Sequence, residues 1–100
     1  MENKQAFINS LSADNPPLHF SAVLKSLWYD AQGDWKKAHD FVDQLPGVDA
    51  AWVHAYLHRK EGDVWNADYW YARAKKTRPN CSLADEWEKL VEHFSESPIN

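Results

Sequence analysis

Apolar residues along this chain recur at spacings of three and four, and no alternation of apolar and polar positions lasts more than a few residues. That pattern predicts amphipathic helices and no strands. The first segment, about Lys4 to Leu11, carries Ala6, Phe7 and Leu11 on one face and is stopped by Ser12-Ala13-Asp14-Asn15-Pro16-Pro17. Proline suits a first helical turn, so Pro17 is expected to open a second helix over about Leu18 to Gln32. Its stripe is Phe20, Val23, Leu24, Leu27, Trp28 and Ala31. Gly33-Asp34 then supplies a stop followed by a cap. The third helix begins after Asp34, turns Trp35, Ala38, Phe41, Val42 and Leu45 inward, and ends at Pro46-Gly47. The fourth, about Asp49 to Glu61, is apolar nearly all round, which places it at the centre of the domain. Gly62-Asp63 repeats the stop and cap, and the fifth helix carries Val64, Ala67, Trp70, Tyr71 and Ala74 before Pro79. The sixth opens at Ser82, with Asp85 near the capping-box position and Trp87, Leu90, Val91 and Phe94 inward. Residues Ser95 to Asn100 read as a frayed tail.

The two stop-and-cap pairs belong to a repeat. Gly33-Asp34-Trp35-Lys36-Lys37-Ala38 and Gly62-Asp63-Val64-Trp65-Asn66-Ala67 share the frame Gly-Asp-x-x-x-Ala, with the glycines 29 residues apart. A period of that size marks a helical-hairpin repeat, and the small alanine lets two helices approach closely. The segment Gly62-Asp63-Val64, with Ala67, Tyr71, Ala74 and Pro79, resembles the second half of a tetratricopeptide repeat, and Ala55 falls at the small position of the first helix. The resemblance covers about Val48 to Pro79. The earlier copy keeps Ser26, Gly33, Asp34, Trp35 and Ala38, then departs: Val42 replaces the aromatic, Leu45 the second alanine, and the connection is short. Trp52 sits one place later than the family's tryptophan. The chain is thus similar to the small, irregular members of bacterial type. The resemblance implies an all-α helical-hairpin stack, a tetratricopeptide-like superhelix of five to six helices. Residues 1–17 form an N-terminal helix and linker, 18–46 a first hairpin, 48–79 a second, and 82–95 a C-terminal capping helix. It also implies a protein-interaction scaffold and no catalysis.

Length and charge narrow the picture further. One hundred residues suffice for a single domain with one modest core. Eleven Lys and Arg against fifteen Asp and Glu give a net charge of -4, which lacks the basic footprint of a nucleic-acid binder. No apolar run approaches the roughly 20 residues that span a bilayer, and no apolar core of a signal peptide follows Met1. The single Cys81 rules out a disulfide framework and a multi-cysteine zinc site, and fits a reducing cytoplasm.

Two faces of the fourth helix carry the candidate chemistry. His54 and His58 are four residues apart and share a face that Glu61 extends, a set suited to zinc or nickel. No Glu follows His54, so the His-Glu-x-x-His motif is absent, and no third strong ligand is visible in sequence; no metal or other cofactor is therefore assigned. In the tetratricopeptide register both histidines point inward, where polar groups need partners. Asp68, Tyr69 and Tyr71 are the candidates. The pair is then either a polar network that holds helix register or a functional pocket. On the other side Trp52, Tyr56 and Arg59, with Lys60 beside them, look into the concave groove in that register. These residue types are enriched at binding hot spots, and Arg59 and Lys60 should reach water or a carboxylate. The family's carboxylate clamp uses Lys and Asn where this chain has Trp52 and Tyr56, and so is not matched. Lys75, Lys76 and Arg78 are explained by the dipole at the end of the fifth helix. Cys81 has no neighbouring His motif, no Ser-His-Asp context exists, and all three glycines end helices, so no enzyme is expected. The sequence reading is a protein- or peptide-binding module, monomeric or weakly dimeric. The alternative is a small-ligand or metal-binding protein that uses His54, His58, Glu61 and Asp68.

Overall fold

The computed structural model describes residues 3–95 and contains six helices and no strand among them. These are α1 (Lys4–Ser10), α2 (Ala22–Ala31), α3 (Trp35–Val42), α4 (Val48–Glu61), α5 (Val64–Arg73) and α6 (Leu83–Ser95). The chain is all-α, as the three-four spacing predicts.

The helix starts follow from side-chain caps. Asn3, Ser21, Asp34 and Asp63 accept from the backbone N–H of Ala6, Leu24, Lys37 and Asn66, and Ser82 accepts from Asp85. Each satisfies a donor that the first turn leaves without an intrahelical partner. Ser21, not Pro17, opens α2, and Leu18 is 93% exposed. The pull of a hydroxyl cap outweighs the tolerance of proline in a first turn. α3 ends at Val42, earlier than its apolar pattern suggests, and Leu45 is exposed. Gly62 ends α4 at φ 92°, a left-handed conformation that costs a side chain dearly and glycine little. Ser95 is buried at the end of α6 and belongs to the helix, and the remainder of the expected tail lies outside the described residues.

α2 packs on α3 and α4 on α5, and each pair is joined across a Gly-Asp turn. Ala38 and Ala67 are fully buried in these seams. At the first seam the Ser26 hydroxyl donates to the Ala38 carbonyl at 2.7 Å. α4 lies at the centre, against α2, α3, α5 and α6, and Val53, Ala55 and Leu57 are wholly enclosed. The indole N–H of Trp35 donates to the Leu57 carbonyl at 2.8 Å and ties one hairpin to the next. α6 packs across α1, α2 and α4, so it closes the side of the stack that a bare pair of hairpins would leave open. Among the described residues no helix is long and apolar enough to cross a membrane.

Candidate functional site

The expected groove stripe points toward α2 and α6. Tyr56 is 2% exposed, and its hydroxyl donates to Asp30 Oδ2 at 2.8 Å while Lys60 Nζ holds Asp30 Oδ1 at 2.7 Å. Arg59 donates to Glu86 Oε1 at 2.7 Å and also to the Cys81 carbonyl oxygen. Tyr71 donates to both oxygens of the same Glu86, at 2.8 and 2.6 Å. Burial first, and then the adjacent carboxylates, push both phenols far above their ordinary range, so both remain donors. Trp52 is half-buried, with His93 and Phe94 of α6 beside its ring and Lys76 Nζ 4.2 Å above it. Arg59 and Lys60 therefore do reach carboxylates, but these belong to α6 and α2 of the same chain. Both acids were hidden by their charge. Yet Asp30 stands three residues after Leu27, and Glu86 four before Leu90, on rows that are otherwise apolar. That spacing was the available signal.

The opposite face of α4 holds the histidines. His54 is 2% exposed and His58 8%. None of the partners expected for them is the one they meet. Asp68 is exposed and pairs with Arg78 at 3.1 Å, Tyr71 is taken by Glu86, and Tyr69 lies on the outside of α5. Instead α3 supplies His39, whose Nε2 lies 3.0 Å from His54 Nε2. The repeat explains the exchange. His39 and Asp68 are equivalent positions, each directly after the frame's alanine. The second helix of one hairpin packs on the first helix of the next, so His39 faces α4. Asp68 faces the segment that follows its own hairpin, where Arg78 answers it.

One ligand atom each from His39, His54 and His58 lies within 4.8 Å of the others. Two tryptophans wall this cluster: Trp70 stacks on His54 at 4.0 Å, and Trp35 stacks on His39 at 4.9 Å. Glu61 Oε2 lies 2.7 Å from His58 Nδ1. A carboxylate can only accept, so a proton sits on Nδ1, and in the neutral ring the lone pair is then on Nε2. Asp43 Oδ1 is 4.0 Å from His39 Nε2 at the outer edge.

His54 is the strained member. Burial first, then His39 and His58, hold it down to about 4 from an ordinary 6.5, so at neutral pH the ring is uncharged. Its Nδ1 is buried with no hydrogen-bond partner. If Nε2 donates to His39, a lone pair is stranded at Nδ1; if Nε2 accepts, an N–H is stranded there. Either way a buried polar atom goes unmet, at a cost of about 1–3 kcal/mol. A second group, His58 with Glu61 and Asp63, adjoins the cluster, but Glu61 is exposed and Asp63 caps α5. Compared with protein-family models, with curated proteins and with solved structures, the chain matches none of them.

Proposed function

We propose that this chain is a non-catalytic binding protein whose ligand seat is the histidine face of α4, completed by His39 of α3. The observation that carries the reading is the convergence of three imidazoles, from two hairpins, on one buried point between two tryptophans. A network built only to hold helix register would be expected to satisfy its members. This one leaves His54 Nδ1 without a partner. On the other stripe, by contrast, Tyr56, Arg59 and Lys60 are bonded within the chain. A thermal-shift panel of metal ions, small carboxylic acids, amines and nucleotides tests the reading on wild type and on His54→Leu. A ligand present at a hundredfold its Kd adds about 2.7 kcal/mol. In a domain of this size that is a rise in Tm on the order of 10 °C. At least one compound should produce such a rise in wild type and none in His54→Leu. A panel without a hit, or hits that survive the substitution, would count against the seat.

A second reading, protein or peptide binding on a tetratricopeptide-like scaffold, is favoured by the outer face of α5. There Trp65 is 78% exposed and stacked on Tyr69, and the Arg73 guanidinium lies 5.7 Å from the Tyr69 ring centre and 5.3 Å from that of Trp70. Aromatic rings beside an arginine suit a peptide of apolar and acidic residues. Selection from a displayed peptide library should yield acidic, apolar sequences that lose at least tenfold in affinity toward Trp65→Ala. Selected peptides that bind this variant as well as wild type would remove that face from consideration.

A further inference from the structure

The ligand of the histidine seat follows from the chemistry of its donors, and this step rests on the reading above. We propose that His39, His54 and His58 bind one divalent transition-metal ion of the zinc type. Three neutral nitrogens with no thiolate suit zinc, nickel, copper or iron, and are too soft a set for magnesium or calcium. All three ligands sit on helices, with His54 and His58 one turn apart on α4 and His39 opposite them on α3.

The geometry needs only a small closure. Zinc holds imidazole nitrogen at about 2.0–2.1 Å, which puts tetrahedral donors roughly 3.3–3.4 Å apart. The His39 and His54 Nε2 atoms are already 3.0 Å apart, and the three donor atoms fit within 4.8 Å. Two imidazoles that meet nitrogen to nitrogen at this distance have room for only one proton between them, whereas a metal ion accepts both lone pairs at once. For His58, Glu61 takes the orienting role of a carboxylate behind a ligating histidine, with its oxygen 2.7 Å from Nδ1, which leaves Nε2 to ligate; His54 Nδ1 has no such partner. The nearby charges also favour a cation. Asp43 lies beside His39, and Glu61 and Asp63 lie beside His58. His39 is the most exposed of the three rings, so water that completes the shell would reach the ion from its side. Because His39 belongs to one hairpin and His54 and His58 to the other, the ion would also join the two hairpins.

The test uses the full chain stripped with a chelator and titrated with zinc by calorimetry and with cobalt by visible absorption. Wild type should bind about one equivalent at micromolar or tighter Kd, and its cobalt form should show the intense visible bands of a four-coordinate site. His39→Ala removes the most exposed of the three rings and leaves the core of α4 intact, so it should fold, as checked by circular dichroism. It should bind at least tenfold more weakly, and Glu61→Gln about tenfold more weakly. His19→Ala and His93→Ala should bind like wild type. No binding of either ion at micromolar concentration overturns the proposal, as does an affinity that is unchanged in His39→Ala or lost in His93→Ala. If the metals fail while an organic compound still stabilises wild type and not His54→Leu, the seat stands and the metal falls. If both assays are silent, both readings fall.

Discussion

Glu86→Ala should destabilise the protein by about 3–5 kcal/mol, the range for removing one partner of a buried ion pair. Glu86 is 2% exposed and receives Arg59 once and Tyr71 twice. Its loss strands a guanidinium and a phenol where water scarcely reaches, and loosens α6 from α4. The stranded charge, more than the lost attraction, is the source of the penalty. The double variant Arg59→Met with Glu86→Leu should therefore recover most of the loss, because both charges go and apolar volume remains. Urea unfolding of wild type, Arg59→Met, Glu86→Leu and the double variant measures the coupling. A Glu86→Ala cost below about 1 kcal/mol would show that α6 is held by its apolar stripe alone.

The metal-free protein should lose stability as pH falls from about 6.5 to about 4, because of His54. Its folded-state value is about 4, against 6.5 for an ordinary histidine. Between these values the unfolded chain binds a proton that the folded chain refuses, so stability rises with pH across the window and is flat above it. The full contribution is about 3 kcal/mol, all of it lost below pH 4. The groups that face the ring are His39 and Asp43 from α3, His58 one turn along α4, and Trp70 from α5, which carries no charge. Carboxylates elsewhere also titrate in acid, so the informative quantity is the difference between wild type and His54→Leu. That difference should change by about 3 kcal/mol across the window. At neutral pH the leucine variant should be the more stable by about 1 kcal/mol, because the unmet Nδ1 has gone. Parallel profiles for the two proteins would mean that His54 is hydrated in solution.

The helices, their caps at Asp34, Asp63 and Ser82, the central place of α4 and the burial of Ala38 and Ala67 are all legible in the chain itself. They depend on interactions between residues a few positions apart: periodicity, a side chain reaching the next turn, a glycine that can turn left-handed. The inward position of His54 and His58, by contrast, follows from the register of the tetratricopeptide resemblance and not from local pattern, since the helix is apolar nearly all round. The start of α2 at Ser21 was local, and was obscured because a proline and a serine offered rival openings four residues apart.

What joined these pieces lay beyond local reach. His39 meets His54 because α3 packs on α4, and nothing within a turn of either residue announces the other. Asp68, at the same place in the other repeat, has a different fate only because a different segment follows it. Likewise the Trp52, Tyr56 and Arg59 stripe depends on whether a further helix covers it, and α6 does so with a buried acid that composition counts as surface charge. An α-helix makes its own backbone hydrogen bonds, so the sequence determines each helix and its apolar side almost unaided. Which histidine completes a cluster, and which face stays open, is decided by how the hairpins and α6 share the limited apolar area of one small core.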